Sequence, residues 1–184
     1  MKQEKETFAN YILSEKDFKK KMQIVFYLQK KTGIFYDKTV IFKSEIAKLF
    51  IENQKLDVDE NLVLTASLLC NCKKKKEFLD LKDIYSYAEE GSKYLSTLGF
   101  NKRFCKICSE INRYSNPNGK REKESDILEL AEQYGGMLLD RPERRGLDLD
   151  DAEILLEYRN LKGKDNRYLP QFKKFLREMK EVYV

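Results

Sequence analysis

Apolar residues recur every three to four positions along nearly the whole chain, and nowhere do they settle into strict alternation. Phe18, Met22, Val25 and Phe26 begin the pattern, and Ile46, Leu49 and Phe50 continue it. Leu62, Ala66, Leu69 and Cys70 follow, then Ile84, Tyr87, Ala88, Gly91, Tyr94, Leu95 and Leu98. Phe104, Ile107, Cys108 and Ile111 keep the spacing, as do Ile127, Leu130, Ala131, Tyr134 and Leu138. It closes with Ile154, Leu155 and Tyr158, then Phe172, Phe175, Leu176 and Met179. That period puts each set on one face of a helix. The punctuation agrees. Ser14 with Asp17 resembles a capping box, and Asp59, Asp80, Ser125 and Asp148 stand where helices would open. Gly33 and Gly99 are natural stops, and Pro170 suits a first helical turn. The breaks at 116–124, 140–146 and 163–169 are short for domain linkers. The expectation is an all-α fold, residues 1–184 forming a single helical domain.

The 184 residues suffice for one substantial core. A net charge of +5 over 36 basic and 31 acidic residues describes a mixed surface, with no single-sign stripe for nucleic acid. No apolar run approaches the roughly 20 residues needed to cross a bilayer, and MKQEKETFANY lacks the apolar core of a signal peptide. A cytoplasmic protein with four reduced cysteines is expected. There is no histidine, which removes the commonest general base and the commonest nitrogen ligand for metals.

Several short motifs, in order, resemble the HD superfamily, in particular its HD-GYP branch of metal-dependent phosphodiesterases acting on cyclic dinucleotides. The stretch ILELAEQYGGMLLDRPERRGLDLDDAEILL, residues 127–156, is similar to the family's I-L-x-V-A-D-x-F-D-A-L-T-S-D-R-P-Y-R segment and the E-A-L helix after it. Asp140, Arg141, Pro142, Arg144 and Ala152 match in place. YLPQFKKFL resembles the closing F-D-P-x-x-x-x-F segment, and EEGSKYLSTLGF the P-E-x-G-A-x-I-L-x-x-L-G element. The resemblance covers about residues 37–176, leaving 1–36 as an N-terminal helical extension, and implies an HD-domain-like helical bundle.

The departures fall on the chemistry. The resemblance places the family's first metal histidine on Phe42 and its L-H-D-I-G-K motif on residues 69–74, so that Cys70 and Asn71 replace the histidine and aspartate. Further histidines of the pattern fall on Tyr87 and near Arg113 and Tyr114, the G-Y-P signature is absent, and the later metal aspartate falls on Glu132. Family enzymes use metal to acidify a water and polarise a phosphate. One carboxylate does not hold a two-metal centre, and neutral asparagine is a poor bridging ligand. The resemblance therefore implies a catalytically inactive pseudoenzyme, a regulatory or signalling module with a protein partner and no cofactor.

Two alternatives stand beside it. Lys74, Arg141 and Arg144 could keep a phosphate pocket that binds a nucleotide or cyclic dinucleotide without hydrolysis. The simpler reading of Lys73 to Lys76 is a helix C-terminus, where cations oppose the macrodipole. Cys70, Cys72, Cys105 and Cys108 could staple the domain through zinc if a helix ended at Cys70; otherwise they are small buried hydrophobes. If Glu132 faces inward it needs a partner, which Arg113 could supply, with Phe42, Tyr87 and Tyr114 filling the former metal space; otherwise both charged side chains turn to solvent.

Overall fold

The computed structural model describes residues 7–75, 81–111, 120–140, 144–161 and 166–183. It is all-α, with nine helices and no strand among the described residues. They are α1 (Phe8–Ser14), α2 (Phe18–Thr32), α3 (Lys38–Gln54), α4 (Glu60–Leu69) and α5 (Leu81–Thr97), then α6 (Lys102–Ser109), α7 (Lys123–Leu138), α8 (Leu149–Leu161) and α9 (Leu169–Tyr183). No described helix is long and apolar enough to cross a membrane.

The helix ends follow local chemistry. Asp17, not Ser14, caps α2, its carboxylate accepting from the Lys20 amide at 3.1 Å; Ser14 is the last residue of α1. Gly33 ends α2 at φ 69°, and its amide donates to the Gln29 carbonyl. Asp37 opens α3 and Asp59 opens α4 by the same side-chain capping. Ser125 does not cap α7, which begins two residues before it. Its hydroxyl donates instead to the Glu110 carboxylate at 2.7 Å, and the same oxygen accepts the Glu122 amide at 2.9 Å. The helix N-terminus is thus capped from α6 by a carboxylate distant in sequence.

Three helices form the centre. α4 is buried on every side from Leu62 to Leu69, as a helix that is apolar all round must be. α7 buries Ile127, Leu128, Leu130, Ala131, Tyr134 and Met137. α3 packs on both with Val40, Ile46, Ala47, Phe50 and Ile51. α5 and α6 cover one flank and α8 and α9 another. α1 and α2 are not an appendage: Ala9 and Val25 belong to the continuous core, and Asn61 of α4 donates to the Leu13 carbonyl at 2.7 Å. α3 and α7 approach closely beside Gly135, where a Cβ would lie 2.8 Å from Lys43 Cγ and 3.1 Å from Ile46 Cδ1. That contact fixes the spacing of the two helices that carry the site.

Candidate functional site

At the centre of the α3, α4 and α7 packing sits an ionised pair. Lys43 of α3 is 4% exposed. Its ammonium donates to Glu132 Oε2 at 2.6 Å. The other carboxylate oxygen, Oε1, accepts from Asn71 Nδ2 at 2.7 Å. Burial opposes ionisation of Glu132, but the charges of Lys43 and Lys74 and the two hydrogen bonds outweigh it, so its carboxyl lies below the ordinary value. Tyr87 of α5 lies beside this pair. Burial pushes its phenol pKa well up, and the neighbouring Glu132 and Cys70 add to the shift.

Asn71 explains why the cluster is self-consistent. An aspartate at that place would set a second carboxylate against Glu132, an arrangement that needs a strong cation between them. The amide instead donates to the carboxylate. Its own Oδ1 is left buried without a hydrogen-bond partner, a cost of about 1–3 kcal/mol. Cys70 is fully buried at the C-cap of α4, and its thiol is held far above its ordinary pKa, chiefly by burial and then by Glu132. At neutral pH it is a thiol and not a nucleophilic thiolate. Lys43, with its charge turned onto a carboxylate, is no base. Among the described residues the cluster therefore offers no nucleophile–base pair.

Phe42 is where the structure departs most from expectation. It does not fill the centre; it is 37% exposed and lines an apolar groove on the far side of α3. The next residue, Lys43, enters the centre instead. Nothing in a motif singles out Lys43, but its position does. Val40, Lys43, Ala47 and Phe50 form one buried stripe of α3, so a charge stands at a core register. Arg113 and Tyr114 lie outside the described residues, and the carboxylate expected to pair with Arg113 is bound by Lys43 and Asn71.

The expected phosphate pocket is only partly assembled. Arg141 lies outside the described residues. Arg144 donates to the carbonyls of Met137, Gly136 and Arg145 at 2.7–3.1 Å, so it caps the C-terminal end of α7. Lys74 sits near Glu132, with its ammonium 5.9 Å from the Phe35 ring centre. With Lys73 and Lys75 it borders a cleft of about 530 Å3 whose other wall is Phe35, Tyr36 and Asp37.

α4 does end at Cys70, as a four-thiol site would require. All four cysteines are buried and unpaired by disulfides. Burial raises the pKa of each, to about 12 for Cys72. No group of three or more Cys, Asp or Glu side chains among the described residues is arranged to hold a metal ion. The thiols belong to the apolar packing between α4, α5 and α6, where Cys72 Sγ abuts Gly91. No family model, curated protein or solved structure matches this chain.

Proposed function

We propose that the chain is a degenerate HD-GYP-like module without hydrolytic chemistry that acts as a regulatory or protein-interaction domain. The observation supporting this reading is a convergence. The resemblance assigns metal-ligand roles to Cys70, Asn71, Tyr87 and Glu132, which are scattered over 63 positions of sequence, on α5, on α7 and at the end of α4. These residues gather around one point, together with the neighbour of Phe42. Local sequence has no reason to bring them together. At that point a lysine ammonium stands where a metal centre would supply positive charge, and an amide stands where a bridging carboxylate would. The combination satisfies both carboxylate oxygens of Glu132 with groups of the chain itself.

Purified protein supplied with manganese or ferrous iron should cleave neither cyclic dinucleotides nor a chromogenic phosphodiester above the protein-free rate. Metal-dependent turnover that disappears in Glu132→Ala would overturn the reading.

The cleft beside Lys74 favours a second reading, in which the module binds a nucleotide without hydrolysing it. Isothermal titration with cyclic dinucleotides and with nucleoside diphosphates tests it. Saturable binding weakened about tenfold or more by Lys74→Ala would support this reading. Absence of heat at millimolar ligand would dismiss it.

A further inference from the structure

Among the described residues, packing leaves two surfaces uncovered, and each supplies what the other lacks. The first is the outer face of α2. Phe26 and Tyr27 are 44% and 71% exposed, their rings edge to face at 6.0 Å, with the Lys30 ammonium 5.1 Å from the Phe26 ring centre. Lys19, Lys20, Lys30 and Lys31 are all exposed around them. This is an aromatic knob in a basic frame.

The second is the groove that Phe42 lines. It holds about 220 Å3 between α3, α7, α8 and α9, with Ile46, Phe175 and Met179 deeper in its wall. Phe42, Leu49 and Leu149, each 37–43% exposed, stand at its rim. Its α8 end is acidic. Leu149 is flanked by the exposed Asp148 and Asp150, followed by Asp151 and Glu153. Against these four carboxylates stands Lys180, which bonds Asp150 at 2.6 Å and Glu153 at 3.0 Å. On the α3 side Lys48 is already paired with Glu52.

We infer that the groove receives the α2 face of a second copy of this chain, Phe26 and Tyr27 entering the apolar floor while the α2 lysines meet the acidic end of α8. The pairing rests on three matches. An aromatic pair meets a cavity of side-chain size, apolar surface meets apolar surface, and a basic frame meets an acidic rim. Large exposed aromatics in such a setting are the residues on which association energy concentrates. Knob and groove are different surfaces of one chain, so each copy offers both halves of the contact. The contact is small, which places association in the range of about 10–100 µM.

Sedimentation equilibrium from about 5 µM to 1 mM measures it. Wild type should show concentration-dependent association that weakens in about 0.5 M salt. Phe26→Ser/Tyr27→Ser and Leu149→Lys should each be monomeric over the same range, with unchanged helical circular dichroism because all three positions are exposed. The decisive arm mixes the two variants: each keeps the half that the other has lost, so the mixture should form a one-to-one complex. A monomeric wild type, association unmoved by either variant, or a mixture that fails to associate would each overturn the inference. So would a monomeric wild type whose groove takes a basic amphipathic peptide and loses it in Leu149→Lys, because the occupant would then be a foreign helix.

Discussion

Lys21 and Lys43 are both buried, at 0% and 4% exposure, but their surroundings keep them there by different means. Lys21 of α2 donates to the Ile12 carbonyl at 2.6 Å and the Thr65 hydroxyl at 2.7 Å, two neutral oxygens that tie α1, α2 and α4 together. Its pKa is lowered to about 8, first by burial and then by Lys16, against weaker support from Glu15 and Asp59. Lys43 faces a full carboxylate charge. The first lysine is a hydrogen-bond donor whose charge is a burden. The second is a charge whose removal would strand another. Burial of the same side chain therefore penalises the fold through the lysine's own charge at Lys21 and secures a partner's charge at Lys43.

The largest effect expected follows from breaking the ion pair. Lys43→Met leaves the largely buried Glu132 with the Asn71 hydrogen bond and the more distant charge of Lys74, and should cost about 3 kcal/mol in urea unfolding. Lys43→Met/Glu132→Leu should recover most of that loss, since apolar replacement of both partners is often neutral. If the double variant is no more stable than the single one, the pair is not what the single variant breaks. The acid limb sharpens the point. Because the folded pKa of Glu132 lies below its ordinary 4.5, its contribution is present above that value and is lost as pH falls through the folded value. Glu132→Leu should lose this acid-labile increment.

Lys21 gives the next effect: stability again rises with pH, but here because a penalty present at neutral pH is lifted in alkali. Its folded pKa of about 8 lies below the ordinary 10.5, so the unfolded chain holds the proton more tightly between those values. Stability should rise with pH across that window by about 1.4 kcal/mol per unit, about 3 kcal/mol in total. Lys21→Met should lack this rise, and parallel pH curves for the two proteins would refute it. Thr65→Val should have the smallest effect. It removes one of the two acceptors of Lys21 and should cost about 1–2 kcal/mol at neutral pH, with the window of Lys21 beginning at lower pH. An unchanged onset would mean that the Thr65 hydroxyl does not stabilise the charged lysine.

These lysines also show what could be read in advance. Helix starts at Asp59 and Asp148 and the stop at Gly33 are legible because capping is a property of a few adjacent residues. Within the expected N-terminal helical extension the short α1 is not separately legible: seven residues carry too little periodicity to stand out. Ser125 misled because its hydroxyl serves a carboxylate from another helix, which no local pattern encodes. At the site, Asn71 and Glu132 were singled out through the resemblance, whereas Lys43 was hidden by a one-residue shift. A step of one residue turns a side chain about 100° around a helix, enough to exchange the centre for the groove. The available clue was a lysine at a core register between Val40 and Ala47, and Lys21 between Phe18 and Val25 carries the same mark.

The ammonium of Lys43 is tethered to the chain, and this has a consequence for mass action. A carboxylate neutralised by a diffusible ion gains stability that follows the free ion concentration, growing by about 1.4 kcal/mol for each tenfold rise above the dissociation constant. Here the counter-charge to Glu132 arrives with the polypeptide, one per molecule, and cannot be diluted, exchanged or stripped. A strong chelator should leave the melting temperature of this centre where it was. The Lys43–Glu132 pair forms on the same terms whether its surroundings are rich or starved in divalent ions.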